Sequence, residues 1–514
     1  MKRWINSDGQ DVTQQTLAEW RKVMGEDDGY DLRKAATVTT SNGLVAYDLE
    51  APAKNLYPVL TPLRNRIPRE TRASGAGTAA NWKVVTAISG GGVSSMGWVP
   101  EGQRAPRMTI STEDKSASYV TVGEESDVTF EAESAGAGFE DVLATSGMRA
   151  LQSVMIKEEY AILGGNRSVA LGKPVTPTAA AAGTGATLPA ATYLVTVFPL
   201  SLEGYLAATV VGGIKRAETI TGQDGKTFTL NGGSGIASDA ASQAATLGQT
   251  LSVSVPVVRG AVAYAWFIGA SGVQTLQAIT TINSAAFSGA IIGSTQTLAA
   301  ITDPTIDRSR NATMAYDGLL YSAFDGTSLA YYRALGTGTA GTGTALTASN
   351  RGSVVEIDEM LKSFWDSYRI SPEEIYVSAQ ELLSITKLVL TQNSASSLIR
   401  FNLDVSSQAP SVMGGQIVGT YFNPFTVNGG QVIPIRLHPN LPAGTLFCWA
   451  ENLPAYYESN NVPQTALVQN RRDYYQINWQ PITRANETGV YCETVLKIYA
   501  TFALGIIHNI APTA

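Results

Sequence analysis

The sequence predicts an α+β fold interrupted by an all-β domain, and three observations lead there. Apolar residues recur at three- and four-residue steps from Phe139 to Ile162 and again over 353–365, as amphipathic helices require. Short runs alternating at period two fill 191–268, parted by turn signals such as Asp224-Gly225 and Gly232-Gly233. The stretch 436–514 then returns mostly to strand patterns, so helices precede sheet in the host fold.

Composition narrows the function. A chain of 514 residues has room for two to four domains. Hydrophobic residues make up 44%, enough for sizeable cores, while charged residues reach only 15%, against roughly 25% in an average soluble protein. So few charges suit a protein that hides much of its surface against neighbours. The net charge is −7 with no Lys/Arg block, so no basic stripe grips nucleic acid through its phosphates. Cys448 and Cys492 fit neither a metal spacing nor a disulfide framework and read as half-buried thiols in a reducing cytoplasm. Residues Met1 to Asp8 lack the apolar core of a signal peptide, and no run approaches the roughly 20 apolar residues needed to span a bilayer. The expectation is a soluble protein made in the cytosol.

Each element follows in order. Asp11-Val12-Thr13-Gln14 resembles a capping box; Leu17, Trp20, Val23 and Met24 follow at helical spacing, and Gly25 stops the helix. Four prolines within 48–68 forbid a long helix and favour an extended arm that must lie on another surface. Residues 81–88 and 119–130 alternate as strands. The polar, Gly-rich stretch Ser89–Ala117 between them, with Trp98, Pro100, Arg104 and Pro106, makes them a long hairpin too slight to fold alone. A helix from Phe139 to Leu163, about 37 Å long, ends at Gly164-Gly165.

Residues 166–190 are nearly all Ala, Gly, Thr, Pro and Val and read as a linker. After it, 191–198, 227–230, 251–255 and 263–268 alternate as short strands of a β-sandwich. The run Pro256 to Ile268 resembles the central strand of fibronectin-III and immunoglobulin-like modules. The insert over 176–305 is therefore expected to fold separately, and a short linker should be able to replace it. The host resumes near Asp307 with a helix around 316–323, a Gly/Thr linker at 336–345, helices over 353–365 and 379–390, and a buried strand at 375–378.

Motifs for chemistry are weak. Gly336-Thr337-Gly338-Thr339-Ala340-Gly341 matches GxGxxG, but no helical pattern opens after it, so it reads as a flexible linker. Gly225-Lys226-Thr227 echoes the end of a P-loop, yet Ile220 stands where the first glycine must be, and a hairpin turn explains it better. His438 and His508 are the only histidines, 70 positions apart. Glu124-Glu125 and Glu158-Glu159 read as solvated carboxylate pairs. No catalytic, cofactor-binding or metal-ligating residue is assigned, no cofactor is expected, and no enzyme is expected.

The order of parts carries a resemblance. A Pro-rich arm (48–68), a strand pair (81–130) and a long helix (139–163) precede Asp317-Gly318-Leu319-Leu320, Ile375-Tyr376-Val377-Ser378 and a strand-rich end. Gly414–Thr420 followed by Pro434–Leu437, and the stretches Arg471–Tyr474 and Leu496–Tyr499, belong to the same pattern. This order resembles the tailed-bacteriophage major capsid protein family over about 45–165 and 306–514, a shell fold shared with encapsulins. The resemblance implies six parts. They are an N-terminal helix and arm (1–70), an E-loop hairpin (71–130), a spine helix opening the peripheral domain (131–175), an inserted immunoglobulin/fibronectin-III-like sandwich (176–305), the remaining peripheral and axial domains (306–435), and C-terminal strands (436–514). It further implies pentamers and hexamers in an icosahedral shell around double-stranded DNA, with weak non-specific DNA contact, and with portal and scaffold or decoration proteins as partners. The place of action would be the virion, after synthesis in the host bacterial cytoplasm. Some members of the family link an E-loop lysine to a distant asparagine. Lys83 and Lys115 lie near that region and read as ordinary solvated lysines. Two alternatives are an encapsulin-like compartment and an immunoglobulin-bearing tail or adhesin protein.

Overall fold

The computed structural model describes residues 60–72, 77–89, 98–105, 107, 109–136, 141–222, 225–293, 295–349, 352–391, 418–427, 429–454 and 463–513. The expected helix at 11–25, the arm before residue 60, the hairpin tip at 90–97 and the 414–417 passage lie outside the described residues.

In chain order, a hydrogen-bonded turn at 61–67 leads into β1 (Arg69–Thr71), then β2 (Ala79–Ser89), β3 (Thr109–Ser118), β4 (Val120–Thr129), α1 (Phe130–Gly136) and α2 (Val142–Gly164). Next come β5 (Thr178–Ala182), β6 (Ala191–Leu200), α3 (Leu202–Ala207), β7 (Ala217–Thr221), β8 (Thr227–Asn231) and β9 (Ala241–Ala245). They are followed by β10 (Thr250–Ser254), β11 (Ala263–Gly269), β12 (Thr275–Thr280) and β13 (Ser284–Phe287). Then follow α4 (Leu319–Phe324), β14 (Tyr331–Ala334), α5 (Val355–Tyr368), β15 (Glu374–Val377), α6 (Ala379–Thr391), β16 (Thr420–Asn423), β17 (Gln431–Leu437) and β18 (Thr445–Trp449). The last strands are β19 (Ala466–Asn478), β20 (Ala485–Ile498) and β21 (Leu504–His508). The fold is α+β, mostly strand.

The described residues form two compact units, the first drawn from the chain before 83, from 114–162 and from 467–497, the second from the rest. The first unit holds a sheet ordered β1-β19-β20-β4. Asp141 Oδ1 accepts the Ala144 amide at 3.0 Å and so starts α2. Met148, Leu151, Val154 and Met155 of α2 pack on Val122, Val490 and Cys492 of the sheet.

Two expectations are corrected here. The partner of β2 is β3, whereas 120–129 runs antiparallel to β20, from Val120↔Thr494 to Thr129↔Ala485. The physical reason is apolar content. Val120, Val122 and Val128 give β4 a face for α2, while β3 carries Ile110 as its one large apolar residue and can only stand in a two-stranded ribbon. The arm's last part is also no extended tether, because Leu63 and Ile67 are buried within the first unit.

In the second unit, a three-stranded sheet β13-β10-β5 and a four-stranded sheet β12-β11-β6-β9 enclose a core that includes Tyr193, Val195, Val197, Leu251, Val253, Tyr264, Trp266 and Ile268. The four-stranded sheet is buried on its other face too, by Phe198, Leu200, Ala263, Ala265 and Phe267 with Ile214, Leu276 and Ile301. Burial on both faces explains why all seven residues of β11 are inside, in place of the expected alternation.

The 166–190 stretch is not a loose linker. Thr178–Ala182 is strand β5, paired with β10 from Thr178↔Ser254 to Ala182↔Thr250, and Leu188 lies in the core. Nor does the sandwich hang free. Leu202 N donates to the Tyr321 hydroxyl at 3.0 Å, which donates to Gly260 O at 3.2 Å. Asn509 Oδ1 accepts Asn283 N at 2.8 Å, while its Nδ2 reaches Asn283 Oδ1 and, at 2.7 Å, Leu335 O.

The remaining six-stranded sheet runs β14-β21-β18-β15-β17-β16. It mixes parallel pairs (β14 with β21, β15 with β17) with antiparallel ones. Ile357, Met360, Leu361 and Phe364 of α5 and Leu382, Ile385 and Leu388 of α6 share its core with Ile375, Val377, Leu446 and Ile507.

Candidate assembly interface

Among the described residues no group of three or more His, Cys, Asp or Glu side chains is placed to hold a metal ion, and no helix is long and apolar enough to cross a membrane. What the first unit offers is a buried ionic anchor and a sheet face turned away from α2.

The anchor is ionic and buried. Glu159 caps the 61–67 turn, its two oxygens accepting Leu63 N at 3.0 Å and Arg64 N at 2.7 Å. Glu158 Oε2 accepts Arg64 Nε at 2.9 Å and the Tyr474 hydroxyl, while Arg69 Nη1 lies 2.8 Å from Glu158 Oε1. The ring of Tyr474 sits under both guanidinium groups, at 5.3 Å from Arg64 and 5.7 Å from Arg69. Burial alone would raise the Glu158 carboxyl, yet Arg69 and Arg64 hold it below its ordinary value. Three segments far apart in sequence are thus tied ahead of β2.

Glu158 and Glu159 are therefore not solvated, as expected from their adjacency, but fully buried. Their spacing carried the signal. Glu158 follows Val154 by four residues, and Glu159 follows Met155 by four, so both continue the apolar stripe of α2. Glu124-Glu125 does lie nearer the surface, with Glu124 paired to Lys157 and Glu125 accepting from Tyr491.

The sheet face turned away from α2 carries Tyr475 and Tyr491, stacked at 5.9 Å. Two glycines let the Tyr491 ring lie flat. A Cβ on Gly123 would stand 2.2 Å from Tyr491 Cδ1, and one on Gly489 would stand 2.5 Å from Cε2. Arg471 pairs with Glu493 on this face, and Arg472 sits over the Tyr475 ring at 5.7 Å. Along the free edge of β4, a groove of about 400 Å³ runs beside α2, lined by Ser126, Thr145, Ser146, Arg149 and Ser153 among others.

The ribbon β2–β3 pairs with no other described strand, and its eleven-residue arm spans about 36 Å. Its described connection, 98–105 and 107, is exposed throughout, and Trp98 is 86% exposed. Lys83 is exposed on β2 and Lys115 is half-buried on β3.

The other motifs, all but Cys492, resolve in the second unit. The 336–341 glycines form a packed turn rather than a flexible linker. Gly338 and Gly341 have φ of 57° and 87°, and a Cβ on Gly341 would meet Ala286 at 2.4 Å. Among the described residues after Gly341 the next helix is α5, beginning at Val355. Lys226 and Thr227 belong to the β7–β8 hairpin. His438 and His508 are both buried, and burial, with Arg259 nearby, pushes His508 down to about 3. That leaves a neutral ring bonded to the Tyr332 hydroxyl at 2.8 Å. Cys448 and Cys492 are fully buried rather than half-buried, and burial raises both thiols.

No protein-family model matches the chain, and no curated protein sequence matches it. Among solved structures it is similar to the capsid of a native GTA particle, with 8% identity and a TM-score of 0.40 over 93% of this chain and 100% of that one. It is also similar to the capsid of Cyanophage A-1(L), with 11% identity and a TM-score of 0.41 over 92% and 98%. The capsid of Myoviridae Phage XM1 shows 9% identity and a TM-score of 0.39 over 92% and 99%. Each is a likeness of chain trace and no more.

Proposed function

We propose that this chain is the major capsid protein of a tailed bacteriophage, a subunit that acts by assembling with its own copies into an icosahedral shell around double-stranded DNA. The observation that carries the reading is the β2–β3 ribbon, which joins no larger sheet among the described residues and presents Trp98 and two arginines to solvent. Tryptophan and arginine are the side chains that anchor protein interfaces, and a two-stranded ribbon alone is marginal in water. The family resemblance supplies the finer parts: pentamers and hexamers, portal and scaffold or decoration partners, and synthesis in the host bacterial cytoplasm before residence in the virion.

Deleting 98–107 and joining the strands by a short turn is expected to leave a folded protein that forms no closed shells. Negative-stain images of the purified protein, beside the unaltered chain, check this. Closed shells of normal size from the deletion would overturn it.

Contact with the packaged DNA is expected to be weak and non-specific, since the net charge is −7 and no basic run exists. Filter binding across a salt series tests this. Tight binding with a steep salt slope would contradict it.

A further inference from the structure

We propose that one face of the β7–β8 hairpin packs against the same face of a second copy of this chain, about a two-fold axis that crosses the hairpin at Ile220 and Phe228. The pairing goes beyond the shell reading and gives the 176–305 region a contact of its own.

Among the described residues the hairpin joins no larger sheet, yet its root is fixed. Arg216, which leads into β7, is buried and donates to Ser234 O at 3.1 Å, to Asp303 O at 2.7 Å and to the carbonyls of Gly235 and Ile306. At the end of β8, Asn231 N donates to Asn311 Oδ1 at 2.8 Å. A hairpin rooted in this way holds one direction, and its two faces differ. The register pairs Thr219 with Thr229 and Thr221 with Thr227, so one face carries four exposed threonines. The other face carries Ile220 opposite Phe228 and Glu218 opposite Leu230. Lys226, two residues before Phe228, continues that face where the strands turn. Phe228 is 40% exposed, and Ile220 and Leu230 are half-buried. A two-stranded ribbon alone is marginal in water, so an apolar row on it gains stability when a second surface covers it.

The charges on this face select its partner. Glu218 sits at the root and Lys226 at the tip, about 13 Å apart along the strands. Two such faces stacked with the hairpins pointing the same way set Glu218 on Glu218 and Lys226 on Lys226. Turned head to tail by a two-fold rotation, each Lys226 meets the second copy's Glu218. Ile220 and Phe228 then meet their own counterparts across about 10 Å, the spacing of packed sheets. Glu218 already accepts from Lys215 at 2.5 Å, but both side chains are exposed, and a carboxylate has room for a second donor. Charge and apolar contact are both satisfied by one arrangement of two identical surfaces.

The test places a thiol on the axis. Ile220→Cys in the full chain, treated with a short bis-maleimide, is expected to give covalent dimers on a denaturing gel. Cys448 and Cys492 are buried, out of reach of the reagent. Thr229→Cys, on the opposite face, is the control and is expected to give no dimer. Adding Lys226→Glu to Ile220→Cys sets Glu against Glu in both contacts, and adding Glu218→Lys instead sets Lys against Lys. Two exposed ion pairs turn to repulsion in each case, so the dimer yield is expected to fall at least about fivefold. Mixing these two variants makes every contact Glu with Lys. The yield is then expected to return to within about twofold, all of it as mixed dimer. Circular dichroism verifies that each variant is folded. The pairing is wrong if Ile220→Cys gives no dimer, if the yield ignores the charge reversals, or if Thr229→Cys cross-links equally well. Shells that form without this dimer overturn the pairing alone, and the dimer without shells overturns the shell reading alone.

Discussion

Glu158→Ala is expected to lower the stability of the first unit by about 3–5 kcal/mol, because it leaves Arg64 buried and Arg69 half-buried without their counter-charge. Guanidinium unfolding followed by circular dichroism measures it, and a midpoint equal to that of the unaltered chain would refute it. Glu158→Gln keeps the shape and the Tyr474 contact and is expected to cost less. The pH dependence has a definite sign. The folded carboxyl sits below its unfolded value, so its contribution is complete above that value, about 4.3, and fades as pH falls through the folded one. In Glu158→Gln this part of the acid loss should be missing.

Replacing 176–305 by a Gly/Ser linker is expected to abolish folding of the second unit, contrary to what the linker-like sequence at 166–190 suggests. The excision removes Asn283, Leu202 and Gly260, the partners of Asn509 and Tyr321. It also removes Arg259, which donates to Phe324 O and, at 2.8 Å, to Asp325 O. Buried polar groups stripped of partners cost about 1–3 kcal/mol each, and several such losses together approach the stability of a whole domain. A milder probe is Asn509→Ala, expected to cost about 2–4 kcal/mol. It breaks three buried hydrogen bonds and puts a β-carbon at φ 61° without the local bonding that lets asparagine stay there. A soluble excision protein with a cooperative melt would show that the sandwich is separable after all.

Helix α2 was legible in the sequence because its stripe of Leu151, Val154 and Met155 reports burial directly. The same stripe placed Glu158 and Glu159 inside, but adjacency suggested a solvated pair, and their partners at 63–69 and 474 cannot be read from local pattern. β11 was read as a strand but with alternating faces, whereas all seven of its residues are buried. The second face that buries it depends on Ile214 and Ile301, neither of which lies in the four-stranded sheet. The ribbon was read with the wrong second strand, since β3 and β4 meet at Tyr119 without a turn signal and differ only in how many valines they carry. β5 escaped notice because an Ala-Thr strand has no hydrophobic periodicity to show. The flat Tyr491 depends on Gly123 and Gly489 being brought together across two strands, which one-dimensional spacing does not reveal.

The parallel pairing of Arg69 with Val468 sets a clock on the chain's maturation. The sheet of the first unit takes β1 and β4 from early in the sequence but β19 and β20 from near its end, about 300 residues after α2 closes. At about 5–20 residues per second, a ribosome that has finished α2 needs roughly 15–60 seconds more before the missing central strands exist. Until then there is no Glu487 opposite Asp127, no Tyr491 over its glycines and no Tyr474 beneath the arginines. Closure of the first unit is thereby held back by the order of synthesis itself.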